Sequence, residues 1–539
     1  MSWSRLILML VFALAVSGGM AADRSKPERK ANKPPKAKKA DPSDALFATN
    51  APILTYAITI AGGEMAALQK DDRSYARGNL TIGTNVFRDV AFRVKGNGSR
   101  RPLHEKPSLV VKFDHYAPGQ KFFGLTKIAL NNSSQDGTFL ADFIANAMFA
   151  DADIPVSRVT HARVKLNGRD LGLYVLVEMH NKEFLKRWFR NGDGTLYEAY
   201  VADIDTAMDQ DGGDDRSQQD RKKLEAATKI PDSAQRWTKL HEVLDVDRYV
   251  SHLVCELFTC HTDGYAMNRN NYRLYRKPNT DRFTFLGHGM DWAFANTGTK
   301  MEPPQNSLVT KAVLTTPEGH RLFKERRLTL FTNVFQTGVM TNRVNLAVAR
   351  LVAQAKDTNE AKEFLNYGRE MNNRIVSRWR NVTNQLFGPS PIVLQFDGQG
   401  VAKLSGWHIK TDEKSAPAAH WRGTNGEQRV LSIAATNGPT VASWRTRVAL
   451  PAGKYFFEGD VRSAGLLVKT NADAIGQGAG LRVSGGKREH KVEGDAAWTR
   501  VRYSLTNELD EVELVCELRA TKGEASFDES SLRLVRRKE

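Results

Sequence analysis

A chain of 539 residues is too long for one ordinary core and calls for two or three domains. Its apolar and charged fractions, 41% and 26%, are those of a soluble globular protein. The net charge of +17 would suit a nucleic-acid partner, but its location weakens that reading, because between Asp23 and Ala40 eight basic residues against two acidic ones supply six of those charges.

Residues 1–22 read as a secretory signal. Arg5 supplies the positive start, Leu6 to Val16 the apolar core, and Gly18-Gly19-Met20-Ala21-Ala22 the small-residue exit. That run is too short to span a membrane comfortably, and no later segment reaches spanning length. The mature chain is therefore expected to be exported: periplasmic, at the cell surface or secreted. Residues 23–49 read as a disordered basic linker, with Pro27, Pro34 and Pro35 and almost nothing apolar to bury. Such a tail can contact an anionic cell envelope.

From residue 51 to 130 the pattern is β. Ile53–Ile60, Asn79–Ile82, Asp89–Val94, Ser108–Phe113 and Thr126–Leu130 alternate like strands. A helix is expected from Asp136 as N-cap, with Phe139, Leu140, Phe143, Ile144 and Ala147 as its apolar stripe. Asn167-Gly168-Arg169-Asp170 marks a hairpin between two further strands. Seven aspartates between Asp203 and Asp220, with Gly212-Gly213, do not fit a calcium loop and read as a mobile acidic loop.

Helical periodicity takes over near Ser233. It leads through Tyr249, Leu253, Leu257 and Phe258 to Thr262-Asp263-Gly264-Tyr265-Ala266-Met267-Asn268-Arg269-Asn270-Asn271-Tyr272. Two strand-like runs, Tyr272–Tyr275 and Arg282–Leu286, flank the turn at Lys277–Asp281. The second runs into His288-Gly289-Met290-Asp291-Trp292. An aspartate, then asparagines, then an aspartate beyond a short hairpin is the order in which protein kinases place their proton acceptor and two Mg2+ ligands. Hard cations and phosphoryl groups need fixed oxygen donors, which these side chains are. The pattern is helical again through Phe323–Ala355 and Asn372–Phe387.

Gly388-Pro389-Ser390-Pro391 ends the helical part, and short alternating runs with Gly and Pro turns follow to the C-terminus. Residues 390–539 are expected to form a β-sandwich or jelly roll. Its Trp407, Trp421, Trp444 and Trp498 are candidates to stack on sugar rings or to pack in the core, which makes polysaccharide a candidate partner. The three cysteines, Cys255, Cys260 and Cys516, lack the spacing of a disulfide framework or zinc site and read as buried thiols.

Several segments together resemble the CotH kinase family, atypical kinases first known as spore-coat proteins. They are Val94-Lys95-Gly96-Asn97-Gly98-Ser99, Lys106-Pro107-Ser108-Leu109, Asn167-Gly168 with Gly172-Leu173-Tyr174 and Glu178, Gly194-Thr195-Leu196-Tyr197, Asn271-Tyr272 with Tyr275, and Asp291. The likeness covers residues 50–388. It implies an α+β architecture: a bilobal protein-kinase-like domain, followed here by the all-β sandwich. It also implies ATP with Mg2+ (or Mn2+) and transfer of the γ-phosphate to protein side chains, the substrate protein being unknown. By this resemblance Asp263 is the catalytic aspartate, Asn271 or Asn268 the metal-binding asparagine, and Asp291 the aspartate gripping magnesium. Lys95, Lys106 and Glu178 are candidates for nucleotide contacts. Glu198 stands where the family often has a lysine, and Ala141 where it often has an arginine. The alternative reading is a catalytically inactive kinase fold serving as an envelope or matrix binding protein.

Overall fold

The computed structural model describes residues 41–537 apart from 215, 389–390, 413–414, 427, 437, 452, 469–476, 488–491 and 508–510. The signal sequence expected at 1–22, and residues 23–40 of the linker expected at 23–49, lie outside the described residues. The chain forms two compact units, one ending at Asn381 and the other running from Val382. Among the described residues no helix is long and apolar enough to cross a membrane.

The first unit opens with α1 (Asp44–Phe47), β1 (Leu54–Ile60), α2 (Gly62–Lys70), β2 (Ala76–Ile82), β3 (Asn85–Val94), β4 (Leu109–Lys112) and β5 (Lys127–Asn131). Then come α3 (Ala141–Asp151), β6 (Val159–Leu166) and β7 (Arg169–Glu178). The seven strands close into a barrel in the order β1-β2-β3-β4-β5-β7-β6, with β1 and β6 parallel. Alternation sorts their side chains. Tyr56, Ile58, Val90, Phe92, Val94, Leu109, Val111, Ile128, Leu130, Tyr174 and Leu176 fill the interior. Arg93, Lys112, Lys127 and Asn131 therefore stand on the outer face, with Lys95 continuing the row just past β3. The hairpin at Asn167-Gly168 has positive φ at both residues, +48° and +82°, as a two-residue turn of matching twist requires.

The second lobe of this unit contains α4 (Lys182–Phe189), β8 (Thr195–Glu198), β9 (Asp209–Asp211), α5 (Gln219–Thr228), α6 (Ser233–Val243), α7 (Val246–Phe258) and α8 (Tyr265–Asn268). It continues with β10 (Tyr272–Arg276), β11 (Phe283–Gly287), α9 (Leu308–Leu314), α10 (Pro317–Asn333), α11 (Thr337–Val352) and α12 (Thr358–Phe387). A small antiparallel sheet, β11-β10-β8-β9, lies in this otherwise helical lobe. Side-chain caps start the helices where the chain offers an acceptor: Asn181 for α4, Asp232 for α6, Asp245 for α7 and Thr316 for α10.

Three expectations are corrected here. The linker does not extend to residue 49: Leu46 is buried, and Arg158 binds Asp44 and the Ser43 hydroxyl at 2.7 and 2.6 Å. Three ordered partners for one guanidinium, counting Glu178, outweigh the polar composition of that stretch. The acidic segment 203–220 is not a free loop. Asp203 is buried and accepts hydrogen bonds from Ile204 N, Tyr265 Oη and Leu308 N, Asp209–Asp211 pairs with β8, and Asp220 accepts from Tyr197 Oη at 2.6 Å. Asp136 does cap α3, but from further out. Its Oδ2 accepts from Leu140 N and Ala141 N, and the helix starts at Ala141.

The second unit carries β12 (Ile392–Val393), β13 (Val401–Lys403), β14 (His408–Thr411), β15 (Ala418–Asn425), β16 (Gln428–Ala435), β17 (Thr440–Ala449) and β18 (Gly453–Leu467). Five more strands complete it: β19 (Gly478–Val483), β20 (Gly494–Asn507), β21 (Glu511–Ala520), β22 (Lys522–Asp528) and β23 (Arg533–Arg536). One sheet runs β12-β17-β21-β19 with β14 beside β17. The other runs β13-β23-β18-β22-β16-β15 with β20 beside β18. Leu431, Trp444, Phe457, Leu514, Cys516 and Phe527 are among the side chains packed between them, so this is an all-β sandwich. Two of the four tryptophans are not available for stacking on a sugar. Trp407 is buried beside the Phe457 ring, and Trp444 is buried with its Nε1 donating to Ser432 O at 3.1 Å. Trp421, on the edge strand β15, is 39% exposed. Trp498 is half-buried under the Arg462 guanidinium.

Arg378 of α12 is the largest fully buried side chain of the described residues. Its guanidinium donates to Leu257 O and Phe258 O at the end of α7, and to Thr297 O and Thr299 O beyond Asp291. Replacing it leaves several buried carbonyls without donors. Arg378→Met is therefore expected to lower the unfolding free energy by about 3 kcal/mol or more, read from urea denaturation of the full chain. A loss within error of zero would show that these carbonyls find other donors.

Candidate active site

The loop carrying Asp263 is built on the end of α7. Glu256, fully buried on that helix, accepts hydrogen bonds from Tyr265 N at 2.8 Å and Ala266 N at 3.0 Å, which holds the first turn of α8. A Cβ at Gly264 would lie 2.4 Å from Glu256 Oε1, so only glycine fits there. His261 pins the loop to the strand opposite, its Nε2–H donating to His288 O at 3.1 Å. Burial lowers the His261 imidazole to about 4, so it is neutral at neutral pH.

Asp263 itself is surrounded by amides. Asn268 Nδ2 donates to Oδ1 at 2.6 Å, while Asn270 Nδ2 and Asn271 Nδ2 donate to Oδ2 at 3.0 and 2.7 Å. Three donors fix the carboxylate without neutralising it. Arg269 and Asn271 take left-handed φ of +54° and +47° to bring these amides inward. The Asn271 amide also packs on Gly289, where a Cβ would lie 2.5 Å from Oδ1. That contact ties Asn271 to the segment that carries Asp291.

Asp291 belongs to a second group of charges. Asp142 of α3 is buried, and its Oδ1 accepts from Met290 N at 3.0 Å. Burial pushes the Asp142 carboxyl up to about 7, with the Asp291 charge adding to the shift and Lys95 opposing it. Burial raises Asp291 as well, again against Lys95. Lys95, from the outer face of the barrel, donates through Nζ to Asn131 Oδ1 at 2.6 Å. Burial lowers its ammonium, while Asp142 and Asp291 act in the opposite sense. The buried Asp142 and half-buried Asp291 carboxylates thus both act on the half-buried Lys95 ammonium. The Asp263 charge reaches Asp291 too, and raises it. On the small sheet Arg273 pairs with Glu198 at 2.5 Å. Burial works to raise Glu198, but Arg273, His288 and Lys95 outweigh it and hold the carboxyl at about 2. Burial, with Arg273 next, lowers the His288 imidazole to about 3.

The structure therefore brings Lys95, Asp291, Asp263, Asn268 and Asn271 to one region of the first unit. It does not bring Glu178 or Lys106 to a ligand. Glu178 is buried between Arg158 and Arg187 at 2.7 and 2.5 Å, fully occupied as a brace. The Lys106 ammonium lies over the Phe139 and Tyr174 rings at 4.6 and 5.1 Å, and burial lowers it to about 8. Asp142, Glu256, Arg273 and His288 were missed by sequence reasoning. An acid flanked by Leu140, Ala141, Ile144 and Ala145 on an apolar helix was the available signal for Asp142.

No group of three or more His, Cys, Asp or Glu side chains among the described residues is arranged to hold a metal ion. The donor set still suits Mg2+, which takes few carboxylates and completes its shell with amide, water and phosphate oxygens. The unbalanced negative charge of Asp142 and Asp291 is where a divalent cation would be stabilised.

A family profile, described as CotH kinase protein, matches residues 92–388, more than half of the chain. The chain belongs to the CotH kinase family. Inner spore coat protein H of Bacillus subtilis (strain 168) is 25% identical over 217 residues, covering 37% of this chain and 56% of that protein. The chain thus spans about half the length of the curated relative it matches. Among solved structures, the Helicobacter pylori proinflammatory kinase CtkA covers 54% of this chain and 94% of its own, at 6% identity and a TM-score of 0.27. The carbohydrate-binding module TmCBM61 in complex with β-1,4-galactotriose covers 25% of this chain and 91% of its own, at 17% identity and a TM-score of 0.18. Neither structural likeness, at such scores, decides anything further about this CotH-family chain. Its two-lobed first unit is the kinase-like domain, and its second unit is the β-rich module.

Burial of neutral His261 has a pH signature. Its folded pKa, about 4, lies below the ordinary value of 6.5, so below pH 6.5 the unfolded chain binds the proton first. This residue's share of stability is complete above pH 6.5 and is lost as pH falls toward 4. The stability difference between the parent and His261→Gln is expected to shrink by up to about 3 kcal/mol over that window, measured by urea denaturation at stepped pH. A difference independent of pH would mean that His261 is charged in the folded chain.

Proposed function

We propose that this chain is an exported atypical protein kinase that transfers the γ-phosphoryl group of ATP to a hydroxyl-bearing protein side chain. The observation that carries this reading is the pairing of an amide-fixed Asp263 with the neighbouring Lys95, Asp142 and Asp291 group. Phosphoryl transfer requires a positioned proton acceptor beside a separate locus of charge for the phosphates. Asp291, Asp142 and Asn271 would hold Mg2+, whose charge offsets that of the phosphate oxygens. Lys95 would contact the same oxygens.

Asp263 accepts the hydrogen bond of the incoming hydroxyl and takes its proton. The acceptor oxygen bonds to the γ-phosphorus as the bond to the bridging oxygen breaks, and ADP leaves. The three asparagine donors hold the Asp263 oxygens in place for that transfer, and Glu256 and Gly264 fix the loop beneath it. Export rests on the N-terminal sequence alone.

Asp291→Ala is expected to abolish Mg2+-dependent ATP binding while leaving the melting temperature nearly unchanged. Asp263→Asn is expected to retain binding and lose transfer by about a hundredfold or more, in a radiolabelled-ATP assay of the full chain. Undiminished Mg-ATP binding by Asp291→Ala would sink the kinase reading.

A second role is supported by the exposure of Trp421 on an edge strand of the sandwich: retention on polysaccharide. Trp421→Ala is expected to weaken retention on an insoluble polysaccharide with no change in melting temperature. Trp444→Ala is expected to cost about 3 kcal/mol of stability through the cavity it leaves. Equal retention of parent and Trp421→Ala on every polysaccharide tried would remove this role.

A further inference from the structure

The outer face of the barrel carries more positive charge than the acids around Asp291 balance. Lys112 and Lys127 stand directly opposite each other across β4 and β5. Arg93 stands on the same face of the neighbouring strand β3. Like charges placed across adjacent strands repel. Among the described residues, none of Arg93, Lys112 and Lys127 has a carboxylate within ion-pair distance or a side-chain hydrogen bond; Arg93 rests only on the Tyr75 ring. Lys127 is half-buried. Burial first, then Arg93, Arg273 and Lys112, lower its ammonium to about 8. Asp211 acts more weakly and in the opposite sense.

The cluster is distinct from the Lys95 end of the cleft. Lys95 binds Asn131, which lies four residues along β5 from Lys127, about 13 Å at a strand rise of about 3.3 Å per residue. Lys95 is balanced by Asp142 and Asp291, whereas Lys127 is not. Arg273 acts on both. Beside the unbalanced end lies a cavity of about 300 Å³, with Asn181, Asp211, Gly212 and Gly213 in its wall. Asn181 Nδ2 donates to Thr126 Oγ1 at 3.2 Å, next to Lys127, and Asp211 acts on Lys127.

We propose that Arg93, Lys112 and Lys127 form a second anion subsite, which takes a phosphate-like anionic group separate from the polyphosphate at the Lys95 end. The division of the cleft between two ends rests on the kinase reading above; the anion subsite itself does not. A bound anion removes the mutual repulsion of these cations.

The test is phosphorus NMR of inorganic phosphate with the full chain, first in EDTA and then with the site saturated by ATP and Mg2+. The parent is expected to bind phosphate in both conditions. Lys112→Gln/Lys127→Gln is expected to weaken it at least about tenfold through loss of charge-assisted contacts. Without ligand, the double variant should melt at or above the parent temperature, because a repulsive pair is gone. Asp291→Ala should bind phosphate as the parent does. The subsite is refuted by absence of binding to the parent, by equal binding to the double variant, or by full displacement of phosphate by Mg-ATP. A double variant that melts several degrees lower would give the lysines a structural role and refute it too. Failure of Mg-ATP binding alone would remove the kinase reading and leave the metal-free phosphate result standing.

Discussion

Two carboxylates, the buried Asp142 and the half-buried Asp291, set against the single half-buried ammonium of Lys95 are the constraint around which the kinase-like unit is arranged. Asp142 comes from α3, Asp291 from the segment after β11, and Lys95 from the end of β3, so three elements distant in sequence converge on one charge problem. Removing Lys95 leaves two like charges uncompensated in a medium that solvates them badly, whereas removing one carboxylate leaves a balanced pair. The backbone takes part as well, since Asp142 also accepts from Met290 N and thereby sets where Asp291 begins. A fold that sustains such an imbalance does so where a ligand completes it.

The surroundings hold the loops of Asp263 and Asp291 in place. Asp263 is held by three side-chain amides and carries no ion pair among the described residues. Glu256 and Gly264 hold its loop from below, and His261 ties that loop to His288 O. Arg378 then joins the end of α7 to the residues after Asp291 through backbone carbonyls alone. The aspartate loop and the Asp291 segment thus share one buried cation behind them and face each other in front.

Much of this was legible in the chain. The barrel strands follow from alternation at Ile53–Ile60, Asp89–Val94 and Thr126–Leu130, and the turn at Asn167-Gly168 follows from its φ requirements. The clustering of Asp263 with its asparagines came from spacing. What sequence reasoning missed was set by partners far along the chain. Asp142 acquires meaning only beside Met290, 148 residues away, and Glu178 turns out to be bound by Arg158 and Arg187. Glu198, a departure from the family pattern, is answered by Arg273, so the charge lost from one strand is supplied by its neighbour. The tryptophans could not be sorted by type, because burial of Trp407 and Trp444 depends on which face of the sandwich they occupy.

The central claim is that the Asp142–Asp291 pair is the seat of a divalent cation. Electron paramagnetic resonance of Mn2+ with ADP tests it directly, comparing the full chain with Asp142→Asn. The account predicts a bound Mn2+ signal in the parent that is lost or greatly weakened in Asp142→Asn at unchanged melting temperature. An equal Mn2+ signal in both proteins, or none in the parent, would contradict it.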